Sequence, residues 1–315
     1  MNSYIFWSFL LALLCVLFSN SLHNDFAFDD FFAIVDNADA VGNSGWSNLL
    51  KNDYWGQNIS QETSHKSYRP VTIISFRLNY YLHEYLNTNY KEFYKSFTLS
   101  GLERTQERKN LNLYAETYHI VNIILHGLVT IFVGIFFKRV ADWSKVKVEI
   151  YNGLLPGWFI ATLLFLAHPV HVEAVTGLVG RAELICALFV MMALYVWFSI
   201  LTNSATANFI VASTKFIFCI LLFYLSVFSK ETGFTLVGLF VVMEYLILSR
   251  NFRDMIFFWK RPKITSFFVN SSIWAGIGAS YLLFRNWLTV HFTVLIYRQV
   301  FSLQKHPKNF LRFLD

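Results

Sequence analysis

Long runs of apolar residues constrain this chain more than any other feature of its sequence. Several of them approach the roughly 20 residues that an α-helix needs to cross the hydrocarbon core of a bilayer. Apolar residues make up 55% of the 315 positions and charged residues 15%, against about 45–50% and about 25% in a soluble domain. The sequence therefore excludes an ordinary soluble protein and favours a bilayer as the place where the apolar surface is buried.

The apolar runs predict an all-α polytopic membrane protein with about seven spans. The first run lacks the basic segment and the small-residue cleavage site of a signal peptide, so we interpret it as a retained anchor. The three cysteines lie inside these runs and are interpreted as small hydrophobic residues. The predicted spans cover residues 4–18, 118–137, 155–168, 184–201, 208–228, 234–248 and 267–285.

Basic residues in the short loops predict the orientation. Lys and Arg cluster after the second and the sixth predicted span, and such loops face the cytosol. The net charge of +6 is thereby explained without a nucleic-acid partner. The opposite face then carries a large first lumenal loop, about residues 20–117, and two further loops, around 168–183 and 229–233. The sequon at Asn58 is consistent with a lumenal first loop.

Within the first loop, residues 68–86 have apolar side chains at helical spacing. This pattern predicts an amphipathic helix that lies against the membrane surface. Residues 87–115 are polar and charged, and we predict that they form an exposed insertion.

An acidic pair, Asp29 and Asp30, follows the first span between aromatic residues. Adjacent and partly desolvated carboxylates raise the pKa of at least one of them, which suits a general base. The alternative is that both carboxylates only cap a short helix.

A basic cluster, His65, Lys66 and Arg69, precedes the predicted amphipathic helix among hydroxyl side chains. Lys and Arg in this setting can bind a phosphate, and Arg can do so with two hydrogen bonds. The alternative is that the basic side chains only extend to lipid headgroups.

The loop between the third and fourth predicted spans carries the densest polar constellation. Two histidines three residues apart could bind a metal, but the intervening proline disturbs the helical frame that such a site needs, so we predict no metal. Ionisable residues at the membrane face favour a ligand site instead. The candidates are His168, His171, Glu173, Arg181 and Glu183.

Two further sets of polar residues lie at span ends. Lys230 and Glu231 occupy a very short turn and are either ligand-binding or merely solvated. His119, Asn122 and His126 share one face of the second predicted span. For these three we favour hydrogen bonding between helices over a role in a site.

Five blocks in this order resemble the membrane part of a known family, the transmembrane O-mannosyltransferases with tetratricopeptide repeats that target cadherins. The resemblance covers most of residues 1–285. It implies a helical bundle like that of the GT-C glycosyltransferases, which use dolichol-linked sugars in the endoplasmic reticulum. The blocks are Phe28-Asp29-Asp30 and residues 64–80, 118–126, 168–184 and 229–235.

The resemblance implies transfer of mannose from dolichyl phosphate mannose to Ser or Thr hydroxyls of secretory-pathway proteins such as cadherins. A carboxylate of the pair Asp29 and Asp30 would act as base, and Arg69, Arg181 and Lys230 would stabilise the departing phosphate. The remaining candidates would also bind the lipid phosphate or the substrate. They are His65, Lys66, His168, His171, Glu173, Glu183 and Glu231. No cofactor is expected.

Residues 1–285 are predicted to form the membrane module, and residues 286–315 a divergent tail. The repeats of the family are absent from this sequence. Two alternatives stay open: a multi-pass transporter, which also places ionisable residues in its spans, and a truncated product that binds lipid phosphate without catalysis.

Overall fold

The computed structural model describes residues 3–90, 113–145, 149–150, 155–203, 208–249, 256–257, 259 and 263–304. Within these ranges the chain forms nine α-helices and one two-stranded hairpin, which confirms the predicted all-α class. The helices are α1 Ser3–Phe18, α2 Pro70–Asn89, α3 Glu116–Ser144, α4 Gly157–Leu166, α5 His171–Thr176, α6 Arg181–Asn203, α7 Phe209–Ser229, α8 Leu236–Leu248 and α9 Ile264–Gln304. The hairpin pairs β1 Glu149–Ile150 with β2 Leu155–Pro156.

Six of the predicted spans correspond to helical segments long and apolar enough to cross a membrane. The remaining prediction, 155–168, is wrong in length, because α4 has only ten residues. A helix of that size is about 15 Å long, half of a hydrocarbon core. Two prolines explain the shortening: Pro156 is extended and precedes the helix, and Pro169 follows it. The six segments are Tyr4–His23, Glu116–Ser144, Leu178–Asn203, Phe209–Ser229, Glu231–Leu248 and Ile264–Leu288.

The short helix α4 runs back along α3. The His126 ring Nε2 lies 3.2 Å from the Leu166 carbonyl oxygen. Eight residues further along α3, Gly134 meets Thr162, where an added Cβ would lie 3.1 Å from the threonine hydroxyl. Helix α4 therefore returns the chain to the end of the bundle where α3 begins. We call this the site end; α6 also begins there and α7 ends there.

Helices α6 to α9 pack around a core of aromatic side chains. Phe240 and Trp274 have ring centroids 4.3 Å apart, and Trp197 packs against both. Phe223 and Tyr281 continue this core toward the site end. Helix α9 extends beyond residue 285, the predicted end of the membrane module, to Gln304.

The first part of the large loop forms a compact cap on the site end. Buried Ile34, Ala40 and Tyr54 pack against Phe76 of α2 and Tyr118 of α3. Asn37 ties the cap together, because its side-chain amide donates to the carbonyl oxygens of Ala33 and Tyr54. A tight turn beside it needs glycine: Gly56 has φ +77°, and a Cβ there would lie 2.6 Å from the Asn37 amide oxygen.

Helix α2 confirms the predicted helix in residues 68–86, and Pro70 stands at its first turn as expected. Its faces are distributed unusually. Polar Thr72, Asn79 and His83 are buried against the bundle, whereas Leu78 and Leu82 are exposed. Contact of that exposed face with the membrane surface stays a prediction. Most of the predicted insertion, residues 91–112, lies outside the described residues.

Candidate functional site

The two carboxylates of the acidic pair have different surroundings. Asp30 is buried, and its Oδ2 accepts a hydrogen bond of 3.0 Å from the Ala27 backbone N–H. Its Oδ1 accepts one of 3.1 Å from the Val179 N–H, 149 positions along the chain. Burial raises the pKa of Asp30, and these backbone hydrogen bonds oppose the rise. Asp30 therefore joins the first loop to the turn that precedes α6.

Asp29 is exposed, unlike its neighbour. It follows Phe28, whose backbone is in the left-handed region at φ 42° and whose side chain is 90% exposed. A bulky residue rarely adopts this conformation. The turn at Phe28 buries Asp30 and leaves the Asp29 carboxylate open to solvent. Asp29 is thus the member of the pair that an incoming molecule can reach.

Arg181, the first residue of α6, is completely buried. Its Nε donates to the Asn122 Oδ1 at 2.8 Å, and its Nη2 donates to the Asn79 Oδ1 at 2.8 Å and to the Tyr118 carbonyl oxygen at 2.9 Å. The guanidinium also lies 4.7 Å from the centre of the Phe76 ring. Arg181 therefore connects α2, α3 and α6. Its donors are used inside the protein, and the phosphate contact stays a prediction.

Arg69, Glu231 and Arg285 form a group that we call the guanidinium cluster. The Nε and Nη2 atoms of Arg69 each lie 2.9 Å from the Glu231 Oε2. The Arg285 Nη2 lies 3.8 Å from the Glu231 Oε1. Next to Glu231 in the chain, Lys230 forms an ion pair with Glu183. The structure thus brings four of the candidate residues together at the site end, Arg69, Glu183, Lys230 and Glu231, and adds Arg285.

The rest of the basic cluster has a different setting. The Lys66 Nζ donates to the carbonyl oxygens of Ile59 and Gln61, at 2.5 and 2.7 Å. His65 is exposed and lies beside Trp55, with ring centroids 5.9 Å apart. Lys66 therefore holds the loop before α2, and Arg69 is the member of this cluster that joins the charged group.

His168 and His171, both in the block 168–184, lie beside each other with ring centroids 6.0 Å apart. The His171 ring centroid lies 4.4 Å from that of Phe165 and 5.1 Å from that of His126. Burial and the nearby His168 lower the pKa of His171. Glu173, in the first turn of α5, is exposed. Across the described ranges, no group of three or more His, Cys, Asp or Glu is arranged to hold a metal ion.

The favoured interpretation of the polar residues in α3 is confirmed for two of them. The Asn122 side-chain amide donates to the Gly177 carbonyl oxygen at 3.2 Å and accepts from Arg181. His126 contacts the Leu166 carbonyl oxygen. Both residues hold neighbouring elements by hydrogen bonds inside the bundle.

Fold and site end together define a polytopic helical membrane protein in which Asp29, Arg69, Arg181, Lys230 and Glu231 lie at one end of the described bundle. Sequence comparison relates it to the protein O-mannosyl-transferases named TMTC, which confirms the resemblance. The chain is 34% identical to TMTC4 of Mus musculus over 257 residues, 78% of this chain. It is 35% identical to TMTC3 of Homo sapiens over 228 residues, 72% of this chain. No protein-family model and no solved structure matches.

The chain spans only part of these relatives: the matched region is 30% of mouse TMTC4 and 20% of human TMTC3. A relative from Caenorhabditis elegans, also named a protein O-mannosyl-transferase, is 32% identical over 75% of this chain and 27% of its own length. The chain is thus homologous to a portion of these proteins.

Proposed function

We propose that this chain is the membrane part of a protein O-mannosyltransferase of the endoplasmic reticulum. Its donor would be dolichyl phosphate mannose, and its acceptors Ser or Thr hydroxyls of secretory-pathway proteins such as cadherins. The observation that carries the proposal is the convergence at one end of the bundle of an exposed carboxylate and several basic side chains. The homology to named O-mannosyl-transferases supports the reaction type.

We assign the role of general base to Asp29 rather than Asp30. Asp29 is exposed, whereas both carboxylate oxygens of Asp30 accept backbone hydrogen bonds. In the reaction, the acceptor hydroxyl oxygen forms a bond to the anomeric carbon of mannose and its proton passes to the Asp29 carboxylate. The bond from that carbon to the phosphate oxygen breaks, and dolichyl phosphate leaves with the electron pair. A single displacement of this kind inverts the sugar carbon.

Positive charge near the leaving phosphate would lower the barrier, since negative charge develops there in the transition state. We propose Arg69 and Lys230 for this role, and their partial exposure at the site end supports it. Each is paired with a carboxylate, which holds the side chain in position before the donor arrives. Arg181 and Asp30 would act indirectly, by fixing the elements that carry these groups.

The test is mannose transfer by the 315-residue chain in proteoliposomes supplied with dolichyl phosphate mannose and a cadherin domain. We expect transfer by the unaltered chain and a loss of about 10²- to 10⁴-fold in Asp29→Asn, the range for removal of a general base. Asp142→Asn is the matched control, since Asp142 is an exposed carboxylate near the far end of α3. No transfer by the unaltered chain, or full transfer by Asp29→Asn, would contradict the proposal.

A further inference from the structure

The guanidinium cluster places two positive groups on one carboxylate. Arg69, just before α2, uses both Nε and Nη2 on one oxygen of Glu231, while Arg285 of α9 approaches the other oxygen. Glu231 itself lies in the turn between α7 and α8. Three separate parts of the chain thus meet in one charged group. The side chains of Arg69, Glu231 and Arg285 are 20%, 24% and 34% exposed, so a ligand can reach them.

Each of the two arginines contacts an aromatic side chain. The Arg69 guanidinium lies 4.9 Å from the centre of the Tyr54 ring, a distance at which the cation is attracted to the ring. The Arg285 Nη1 donates to the Tyr281 hydroxyl at 3.3 Å. Close to the cluster, the Phe228 ring packs edge to face against Tyr68 and Phe284, whose own rings are tilted toward each other, with all centroids about 6 Å apart. A ligand with an apolar chain and an anionic headgroup could therefore contact the aromatic side chains with its chain and the two arginines with its headgroup.

The charges of this region do not cancel. Arg69, Arg285 and Lys230 are positive, whereas Glu231 and Glu183 are negative, so the formal charges of these five side chains sum to +1. A phosphodiester carries one negative charge and therefore matches it. A phosphomonoester carries roughly −1.5 to −2 at neutral pH and exceeds it. The negative charge of Glu231 thus determines the relative affinity of the cluster for a phosphodiester and for a phosphomonoester.

We propose that Arg285 is an additional binding residue for an isoprenyl phosphate, and that Glu231 tunes the cluster to the phosphodiester over the monoester. The inference rests on the proposed function, in which the diester is the donor and the monoester is the product. The enzyme would then hold the mannosyl donor and release the spent lipid, because the extra negative charge of the product meets the Glu231 carboxylate. Arg69 and Arg285 would hold the phosphate oxygens from two sides.

The experiment measures binding, so that it does not depend on transfer. The 315-residue chain in detergent is titrated with farnesyl phosphate, a monoester, and with farnesyl phosphate mannose, a diester. Binding is followed by the rise in the unfolding temperature, which reports any ligand that binds only the folded state. We expect Arg285→Gln to weaken both ligands about tenfold, as for the loss of one charge-assisted contact. We expect Glu231→Gln to tighten the monoester about tenfold and the diester less.

Lys138→Gln is the matched control, because Lys138 is an exposed base in the far half of α3 and should change neither affinity. Unchanged binding in Arg285→Gln, or an unchanged ratio of the two affinities in Glu231→Gln, would overturn the inference. So would equally tight binding of phosphatidylglycerol, a phosphodiester without an isoprenyl chain. Arg285→Lys, which keeps the charge, should recover part of the affinity, and the unfolding transition of each variant without ligand shows that it is folded.

The two proposals fail in distinguishable ways. If the predicted affinities hold and no mannose is transferred, the proposed function is wrong and the phosphate site stands. If mannose is transferred while the variants bind both ligands as the unaltered chain does, the phosphate site is wrong and the function stands.

Discussion

The two halves of the site end hold their charges in opposite ways. In one half, Asp30 and Arg181 are buried, and their hydrogen bonds go to groups of the protein itself. In the other half, the guanidinium cluster is partly exposed, and its charges neutralise one another only in part. The exposed Asp29 lies next to the first half in sequence but shares the accessibility of the second.

The difference separates positioning from binding. A buried charge whose partners are lost suffers the full cost of desolvation, so it cannot turn to a ligand. A half-exposed charge can exchange its partner for a ligand at little cost in free energy, because water solvates the charge during the exchange. Buried groups should therefore control stability, and exposed groups should control affinity and transfer.

The largest expected effect on stability comes from Arg181→Ala. The change leaves the Asn79 and Asn122 side-chain oxygens without their guanidinium donor. Each unsatisfied buried acceptor costs about 1–3 kcal/mol, so we expect a total loss of about 3 kcal/mol or more. Thermal unfolding in detergent measures it. An unfolding temperature equal to that of the unaltered chain would contradict the claim that the buried half of the site end controls stability.

A smaller loss, about 1–2 kcal/mol, is expected for Asp30→Asn, because the amide group can accept only one of the two backbone hydrogen bonds. The loss should also depend on pH. Since the pKa of Asp30 is raised in the folded state, its contribution is complete below the unfolded value of 3.8 and declines as pH rises through the folded value. The difference in unfolding temperature between the two proteins should thus be larger at pH 4 than at pH 7. A larger difference at pH 7 would contradict this assignment.

Arg69→Gln should cost about 1 kcal/mol of stability or less, since its ion pair with Glu231 is partly exposed. Salt screens such pairs, so the loss of stability should be smaller at about 500 mM NaCl than at about 50 mM. The higher concentration shortens the Debye length to a few ångströms. Unfolding temperatures of both proteins at the two salt concentrations measure it. A loss as large as that of Arg181→Ala would place Arg69 with the buried half.

The smallest effect concerns orientation. If the cap and both halves of the site end face the lumen, Asn58 can be glycosylated in cells, because it begins the sequon Asn58-Ile59-Ser60. Treatment with an N-glycosidase should increase the electrophoretic mobility of the unaltered chain and not that of Asn58→Gln. Identical mobility of the treated and untreated chain would remove this support for a lumenal site end.

Much of the fold follows from the sequence because apolar runs of membrane length leave few alternatives to helices. Six spans and the helix α2 were predictable on that ground. The length of α4 was not, since the prolines at 156 and 169 mark its limits only when the return along α3 is known. The inward polar face of α2 also escaped prediction, because amphipathic spacing does not tell which face meets the protein.

The site was predictable as a set of residues but not as a set of roles. Asp30 is buried and Asp29 is exposed, and one hydrogen-bond donor to Asp30, the Val179 N–H, is distant in sequence. From the sequence alone, Arg181 resembles an accessible basic residue at the membrane face. In the structure it donates hydrogen bonds to Asn79 and Asn122. Arg285 was missed because it is the last residue of the predicted span 267–285, and its partner Glu231 lies in the turn between α7 and α8.

The most direct test of the account compares Asp29→Asn with Asp30→Asn in the same proteoliposome assay and the same thermal unfolding experiment. We predict that Asp29→Asn loses mannose transfer and keeps the unfolding temperature of the unaltered chain, whereas Asp30→Asn lowers that temperature and retains measurable transfer. The reverse pattern, with transfer abolished only in Asp30→Asn and stability lowered only in Asp29→Asn, would contradict the assignment of base and anchor.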